Sequence, residues 1–329
     1  MNKPRRFGLR TRIAAVIGGT WCVAVLAVVA YLYGFLEGRA IEEWQAERTL
    51  QAEAMAATLD QIVAEAVHDV RKVAGLEQFD ALAAVHAIDP KINGISDGLD
   101  MSKRRVFDGF VDGGRFSVMF ILMPDGRHYL SHPYSVQQRL KRFDLSDRPY
   151  FIEATRSRAP VVSNAFVGAD GVPAIAIDVP VLDAKGEIAF HIGGVMHLDR
   201  LAALFVGSTP AASDVAMLAD RNGMVMASHV SDAGRAAAKL VSGTLVRFVG
   251  GEPRPGRAET QVVTGANGEE LLVVLVRLQS GWGMTMARNR AGFIDRIKPE
   301  LARSSLVVGA ILACLSMIGF VIAQRIAGH

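Results

Sequence analysis

The sequence predicts an α+β protein in which two tandem modules with antiparallel sheets lie alongside a long N-terminal helix and are flanked by two transmembrane helices. Three observations lead to this prediction. An uncharged apolar run stands near each end of the 329-residue chain, a helical stripe follows the first run, and strand-and-turn patterns repeat from residue 115 onward.

Each apolar run is long enough to cross a bilayer. Residues 13–36 and 304–324 contain no charged side chain, and a helix needs about 20 apolar residues to span the hydrocarbon core. The first run could instead be a cleaved signal peptide. However, its apolar core is longer than the roughly 7–15 residues of such peptides, and "EGRAIEEW" offers no small-x-small cleavage site. We therefore predict two transmembrane helices.

The charges around the runs predict the orientation. The tail of residues 1–12 carries five basic residues and no acid, so the positive-inside rule places it in the cytoplasm. Two spans then return the C-terminus to the cytoplasm and leave residues 37–303 outside. Both cysteines, Cys22 and Cys314, lie inside the spans. A large exported segment without cysteine favours a bacterial periplasm, and hence the inner membrane.

The charge balance gives no reason to expect nucleic-acid binding. Residues 37–303 hold all 33 Asp and Glu and 30 of the 36 Lys and Arg, which gives a net charge of −3. The +3 of the whole chain comes mostly from the basic tail, where a membrane surface explains it.

The segment after the first run has the apolar period of a helix. One apolar stripe recurs at spacings of three and four residues, through Met55, Leu59, Ile62, Ala66, Val70 and Val73. We predict a helix from about residue 38 to Ala74, within a long-helix region of 38–88. The stripe could cover the globular part, pair with a second copy of the chain, or do both.

The remaining outer segment contains an internal repeat. "MFILMPDGRHYLSH" (119–132) matches "AMLADRNGMVMASH" (216–229), and "GADG" (168–171) matches "GANG" (265–268). Both pairs of landmarks are 97 residues apart. We therefore predict two modules of about five antiparallel strands each. Ser131-His132 and Ser228-His229 recur at the same offset, which indicates a shared structural position.

The predicted organisation follows from these boundaries. It comprises a cytoplasmic tail (1–12), a span (13–36), a periplasmic segment (37–303), a second span (304–324) and a cytoplasmic end (325–329). Within the outer segment it places the long helix at 38–88, a membrane-distal module at 89–207, a membrane-proximal module at 208–289 and a connecting helix at 290–303. Only the first module has a polar-aromatic cluster, "RFDLSDRPYF" at 142–151, between its landmarks. Elaboration of one copy is typical of a ligand site.

Two stretches of the first module resemble a known family. "FDLSDRPYFIEA" and "PVVSNAFVGADGVPAIAIDVPVLDAKGEIAFHIGGVMHLDRL" are similar to the membrane-distal module of a double Cache (dCACHE) sensor domain of bacterial transmembrane receptors. The resemblance covers roughly residues 38–303. It implies two PAS-like (Cache) modules beside a long helix, a small-molecule site in the distal module, and a signal carried through the second span.

The amino-acid-binding branch of that family has a motif that can be placed on this sequence. Its arginine falls at Arg148. Its aromatic positions fall at Phe143, Tyr150, Phe151 and Phe166. The aspartate that grips the ligand's amino group falls near Val195, where this chain has no acid. The resemblance therefore implies that the ligand is a carboxylate without an α-amino group.

Arg148 is the predicted anchor, because a guanidinium binds a carboxylate through two parallel hydrogen bonds. The alternative is a salt bridge to Asp144 or Asp147 that only pins the turn. The four aromatic residues are predicted to form the pocket wall more than to bind the ligand through hydrogen bonds.

Asp178 is the other candidate, since it interrupts the apolar strand "AIAIDVPV" and a buried carboxylate needs a partner. It could contact the ligand, replace the missing acid, or face solvent. His191 and His197 are six residues apart and could share one face of a strand, but no further metal ligand is evident. We predict no metal site.

The outer segment has no Walker loop, zinc-protease motif or nucleophile elbow. We therefore expect no catalytic residues and no cofactor.

The sequence predicts a receptor that binds a small molecule, works as a homodimer, and signals to a histidine kinase, diguanylate cyclase or chemoreceptor output domain. The chain stops after the second span, which favours a longer receptor. The alternative is a free-standing, membrane-anchored Cache protein that binds a protein partner in the envelope. A closed pocket near Arg148 favours the sensor, and a flat apolar patch favours the partner-binder.

Overall fold

A computed structural model describes residues 9–209, 213–252 and 254–327, and it describes side chains for residues 19–318 and 321 of these ranges. Residues 1–8 and 328–329, which belong to the predicted cytoplasmic ends, lie outside it. The described chain divides into two compact units: residues up to Glu47 together with those from Asn289 onward, and Arg48–Arg288.

Seven α-helices are present in the described residues. They are α1 (Leu9–Ala74), α2 (Met101–Asp112), α3 (Tyr134–Arg139), α4 (Pro149–Ser157), α5 (Leu198–Ser208), α6 (Ala238–Val249) and α7 (Arg290–Ala327).

Eleven strands accompany the helices in the same residues. They are β1 (Val118–Leu122), β2 (His128–His132), β3 (Val161–Val162), β4 (Phe166–Val167), β5 (Pro173–Leu182), β6 (Ile188–His197), β7 (Val215–Ala219), β8 (Val225–Val230), β9 (Ala258–Thr264), β10 (Glu270–Arg277) and β11 (Gly283–Asn289).

The first unit pairs the N-terminal part of α1 with α7. The Trp44 and Phe293 rings lie 6.3 Å apart, and Arg290 forms an ion pair with Glu37 at 3.6 Å. Each helix is long and apolar enough to cross a membrane.

The long helix ends at Ala74, as its apolar period predicts, while the rest of the predicted long-helix region of 38–88 is not part of it. Short 3₁₀ turns follow at 77–79, 85–87 and 90–92. The reason is local, because the amide of Gly75 closes the last turn on the carbonyl oxygens of Arg71 and Lys72 and Pro90 interrupts the next segment.

The apolar stripe of α1 covers the globular unit. Its members are buried or half-buried, and Ala66, Val70 and Val73 are fully buried in the core of the first module. Polar side chains fix the helix on the second module as well. Glu53 accepts a hydrogen bond from the Ala258 amide, and Asp60 accepts one from the Gln279 amide. The helix therefore lies alongside both modules.

The two modules have the same strand order. Their sheets run β2-β1-β6-β5-β3, with β4 attached to β5, and β8-β7-β11-β10-β9. The strand pairs β1–β2, β1–β6, β3–β5, β4–β5, β5–β6, β7–β8, β7–β11 and β9–β10 are antiparallel. The registers also agree. Phe120 pairs with Ser131 in the first sheet, and the residues 97 positions later, Met217 and Ser228, pair in the second. The shared position predicted for the two Ser-His pairs is confirmed.

Gly126 and Gly223, the turn glycines of the repeated hairpins, both have positive φ, +86° and +82°. Glycine adopts this conformation without steric cost. Gly126 is also needed for a close approach, because a Cβ there would lie 2.5 Å from the Cα of Ser146. The hairpin turn therefore holds the 142–147 segment against the first sheet.

The first sheet is covered on both faces, which explains why β1 is apolar throughout. Met119 and Ile121 face a core that includes α1, whereas Phe120 and Leu122 face a smaller core under α4. Because side chains alternate along a strand, β5 and β6 likewise present one residue set to each core. The smaller core is where the candidate site lies.

The modules are joined by the hairpin that connects β7 and β8. The buried Asp220 carboxylate accepts a hydrogen bond from the Ala165 amide at 3.0 Å. Arg221 donates to the Asn164 side chain at 3.1 Å and to the Val162 carbonyl oxygen. The second module thus holds the segment between β3 and β4, directly before Phe166.

Candidate ligand-binding site

The segment 142–151 forms an ordered turn that leads into α4. Arg142 and Asp147 form an ion pair at 2.7 Å, and the Asp144 carboxylate accepts a hydrogen bond from the Ser146 amide at 2.8 Å. This bond is the main reason that the pKa of Asp144 lies below its ordinary value. Pro149 occupies the first turn of α4, where its fixed φ suits a helix start.

Arg148 stands at the N-cap position of α4, and no acid neutralises it within the described part of the chain. The alternative salt bridge to Asp144 or Asp147 is not formed. Instead, Nη1 donates a hydrogen bond to the Val167 carbonyl oxygen at 3.1 Å. The guanidinium lies 5.3 Å from the centre of the Phe166 ring. Its Nε is buried and has no hydrogen-bond partner. Arg148 therefore retains hydrogen-bonding capacity for an anion.

A cavity of about 30 Å³ lies under α4 and the β4–β5 loop; Arg148 does not line it, but its guanidinium lies over the ring of Phe166, which does. Its apolar wall is formed by Val118, Phe120, Val136, Leu140, Leu145 and Val195, and the loop contributes Phe166, Gly168 and Ala169. Its polar groups come from His128, Ser131, Tyr150 and Asp170. This volume holds about one water molecule. A larger ligand therefore requires the wall to move.

Aromatic rings connect Arg148 to the inner end of the cavity. The Phe166 and Tyr150 rings are 5.4 Å apart, Tyr150 and Phe120 are 6.4 Å apart, and Phe120 and His128 are 6.3 Å apart. Phe120 fits because Gly193 faces it: a Cβ on Gly193 would lie 2.0 Å from its ring. One row of rings thus has a cation at one end and an imidazole at the other.

Two of the predicted aromatic residues take other positions. Phe151 is buried against the His191 ring at 4.6 Å and does not line the cavity. Phe143 is half-buried, and its carbonyl oxygen accepts a hydrogen bond from the His128 amide at 2.9 Å. The structure therefore brings Arg148, Tyr150 and Phe166 together and leaves Phe143 and Phe151 as supports.

Asp178 is fully buried and pairs with His191, whose Nδ1 lies 3.1 Å from Oδ2. The His191 Nε2 is 3.4 Å from the Thr155 hydroxyl of α4. Burial is the main cause that raises the pKa of Asp178. This Thr-His-Asp order resembles a catalytic triad, but both ionisable members have no exposed surface and neither lines the cavity. The group fastens α4 to β5 and β6.

His191 and His197 do not share a ligand. His197 pairs instead with Asp170 at 3.2 Å. Among the described residues, no three His, Cys, Asp or Glu side chains are grouped so that they could hold a metal ion.

Three polar residues of the cavity were not identified from the sequence: His128, Ser131 and Asp170. Asp170 belongs to the repeated "GADG" landmark and Ser131 to the repeated Ser-His pair, and we read both as structural features of the repeat. His128 has no counterpart, because Val225 stands 97 residues later. A histidine in the first copy, where the second copy has valine, is the sequence feature that could have identified His128 as a candidate site residue.

His128 is buried and only partly satisfied by hydrogen bonds. Its exposure is 2%, its Nε2 lies 3.4 Å from the Ser131 hydroxyl, and its Nδ1 has no partner. Burial lowers the pKa of His128 to about 4, so the imidazole is neutral at pH 7. Burial likewise raises the pKa of Tyr150, whose phenol therefore stays protonated.

Comparison with known proteins supports the fold. The sensory domain of the Campylobacter jejuni chemoreceptor Tlp3, solved with L-valine, has a TM-score of 0.54 at 12% identity and covers 78% of this chain and 96% of its own. The ligand-binding domain of Mlp24 with asparagine has a TM-score of 0.56 at 15% identity, and the match covers 79% of this chain and 98% of that domain. The ligand-binding domain of the Pseudomonas fluorescens chemoreceptor CtaA with L-serine has a TM-score of 0.51 at 15% identity, and the match covers 76% of this chain and 99% of that domain.

The fold is that of double Cache sensor domains. No family model and no curated protein matches the sequence. The cavity lies in the first module, which also carries Arg148. These neighbours establish the architecture, while the ligand has to be argued from the residues of this chain.

Proposed function

We propose that this protein is a transmembrane receptor whose periplasmic double Cache domain binds a small carboxylate at Arg148. One observation carries the proposal: a half-buried guanidinium has no acidic partner among the described residues and lies over the ring of Phe166, which lines a cavity. A carboxylate can accept two parallel hydrogen bonds from such a group. The ligands of the three neighbours, valine, asparagine and serine, all contain a carboxylate.

The cavity wall argues against an α-amino group on the ligand. Val195 lines the cavity where the amino-acid-binding branch has its aspartate. Asp170, the acid that does line the cavity, is already engaged by His197 and by the Val172 amide. A ligand ammonium placed beside Val195 would lose its hydration without gaining a free acid.

The ligand changes the conformation only if it binds one arrangement of the protein more tightly than another. The difference in affinity comes from Arg148, because its hydrogen bond to the Val167 carbonyl oxygen competes with a ligand carboxylate. When the ligand carboxylate replaces the Val167 carbonyl oxygen as the acceptor from Arg148, the β4–β5 loop is released. The preceding segment is tied to the second module through Ala165 and Asp220, so motion of the loop reaches the β7–β8 hairpin.

The remaining steps of the proposal concern the membrane. Both apolar helices cross the bacterial inner membrane with their ends in the cytoplasm, and α7, which directly follows the last strand of the second module, carries the signal to a kinase, cyclase or chemoreceptor output. The receptor is a homodimer that pairs through α1, on which Leu50 leaves 69% of its surface exposed.

The test is carboxylate binding by the full chain in lipid nanodiscs. Thermal shift and calorimetry are measured for acetate to hexanoate and benzoate, with the corresponding primary amides as uncharged controls. We expect carboxylates to bind and amides to bind at least about 10-fold more weakly, because a hydrogen bond between charged groups is about twice as strong as a neutral one.

Arg148→Ala should abolish this binding, and Arg142→Ala is the matched control. Arg142 lies in the same turn but pairs with Asp147 on the surface, so its loss should leave affinity within about 2-fold. Binding that survives Arg148→Ala undiminished, or a complete absence of carboxylate binding, would contradict the proposal.

A further inference from the structure

The polar groups at the inner end of the cavity are all uncharged. His128, Ser131 and Tyr150 line it. The His128 Nδ1 is buried without a partner, and no hydrogen bond is formed by the Tyr150 hydroxyl within the described residues. Buried polar groups are normally satisfied. An unsatisfied imidazole on a cavity wall is therefore a place where a ligand atom can bind.

The ligand group that fits this end is neutral. Phe120, Leu145 and Val195 surround the cavity with apolar surface, where an ion would lose its hydration without compensation. Asp170 is the one side chain with a formal charge in the lining, and it would repel a second carboxylate. A dicarboxylate is therefore disfavoured.

A hydroxyl group suits the neutral imidazole in either of its tautomers. If Nε2 donates to the Ser131 hydroxyl, Nδ1 is an acceptor; if Nε2 accepts from it, Nδ1 is a donor. A hydroxyl can donate or accept, and so can the neighbouring Tyr150 phenol. The cavity also has about the volume of one water molecule, which matches a hydroxyl in size.

We infer that the ligand is a hydroxylated monocarboxylate whose carboxylate binds Arg148, next to Phe166 of the cavity wall, and whose hydroxyl binds His128 in that wall. This inference rests on the proposed function. It adds His128 as the residue that selects among carboxylates, with Ser131 as a positioning residue that orients the imidazole. The rings of Phe166, Tyr150 and Phe120 supply the apolar surface between these two groups, and the wall has to move to admit the carbon chain.

The experiment compares ligands that differ in one substituent. Butanoate, its 2-, 3- and 4-hydroxy derivatives and 2-aminobutanoate are titrated into the full chain in lipid nanodiscs by calorimetry. We expect at least one hydroxybutanoate to bind about 10-fold or more tightly than butanoate, since a ligand hydroxyl then satisfies a group left unpaired by butanoate. 2-Aminobutanoate should bind no more tightly than butanoate.

Variants test whether His128 causes the tighter binding of the hydroxylated ligand. His128→Phe keeps a ring beside Phe120 but removes the nitrogen atoms, so the ratio of the affinities for the hydroxybutanoate and for butanoate should fall below about 2-fold. His128→Gln is neutral and retains a donor and an acceptor, and it should keep an intermediate advantage. Ser131→Ala should reduce the advantage without abolishing it. Thermal unfolding of each variant checks that it is folded.

The possible failures are distinguishable. If carboxylates bind through Arg148 but the hydroxyl gives no advantage, or the advantage survives both His128 variants, this inference is wrong and the proposed function stands. Tighter binding of 2-aminobutanoate than of every hydroxybutanoate also overturns it, because an acid then grips the substituent. If no carboxylate binds in an Arg148-dependent manner, both proposals are wrong.

Discussion

The Nη1 atom of Arg148 donates a hydrogen bond to the carbonyl oxygen of Val167 at 3.1 Å. This single bond connects the start of α4 to the strand that precedes the "GADG" loop. Since the described residues supply no carboxylate to the guanidinium, the bond is the polar contact that a ligand anion has to replace. It therefore links occupancy of the site to the position of the loop.

Removal of this bond should loosen the loop. In Arg148→Ala, we expect backbone amide exchange across residues 166–171 to rise about 10-fold, because the loss of a charge-assisted hydrogen bond is worth about 1–2 kcal/mol. Hydrogen-exchange mass spectrometry of the full chain in nanodiscs measures this. Arg158→Ala is the control. It removes a similar bond to the Gly186 carbonyl oxygen and should affect only residues 183–187. Unchanged exchange at 166–171 in Arg148→Ala would show that the bond does not hold the loop.

The buried Asp178–His191 pair should behave as one unit. Asp178→Leu leaves His191 buried with only the Thr155 hydroxyl, so we expect a loss of about 3–5 kcal/mol in the free energy of unfolding. The double variant with His191→Leu removes both polar groups and should recover most of that loss. Thermal unfolding of the single and double variants provides the test. Additive losses would mean that the pair is not coupled.

Asp220 should contribute more to stability than an aspartate in an equivalent turn. Its carboxylate accepts hydrogen bonds from the Asn222 and Met224 amides and also from Ala165 in the other module. Asp183 accepts the two local bonds only, from Lys185 and Glu187, and is exposed.

We therefore expect Asp220→Ala to destabilise the outer domain by about 2–3 kcal/mol more than Asp183→Ala. The two melting temperatures measure the difference. Equal losses would mean that the bond between the modules adds nothing to stability.

The pH dependence of stability should contain a contribution from His128. Because burial lowers its pKa to about 4 from about 6.5 in the unfolded chain, the unfolded state binds more protons between these values. Stability then falls as the pH drops from about 6.5 to 4, by up to about 3 kcal/mol. His128→Phe should flatten that part of the melting-temperature profile between pH 7 and pH 4.5. Parallel profiles for the two proteins would contradict the assigned protonation state.

Much of the fold could be predicted from the sequence, because it depends on local patterns. The spacing from Met55 to Val73 specifies one face of a helix, and the 97-residue offset between turn glycines specifies two copies of one strand order. The structure has both features, together with the same registers at Ser131 and Ser228. The end of α1 at Ala74 and not at residue 88 depends on Gly75 and on the 3₁₀ turns that follow it.

The site was less accessible to sequence reasoning. The motif brought attention to Arg148, Tyr150 and Phe166, which the structure places together, but it also included Phe143 and Phe151, which it does not. Sequence reasoning left three roles open for Asp178. The pairing of β5 with β6 makes Asp178 and His191, 13 residues apart in the chain, diagonal neighbours on adjacent strands, close enough for their side chains to pair.

The sequence by itself determined the two apolar end segments, the long amphipathic helix, the duplication and the polar-aromatic cluster, since each is a pattern of neighbouring residues or of a fixed repeat. Only the tertiary structure decided which groups remain unsatisfied. Within the described residues Arg148 has no acidic partner, because Asp147 pairs with Arg142, and His128 has a free nitrogen because its ring is buried in the cavity wall next to Phe120. Such vacant hydrogen-bonding capacity is a property of burial and partner geometry, and neither is encoded in any one stretch of the chain.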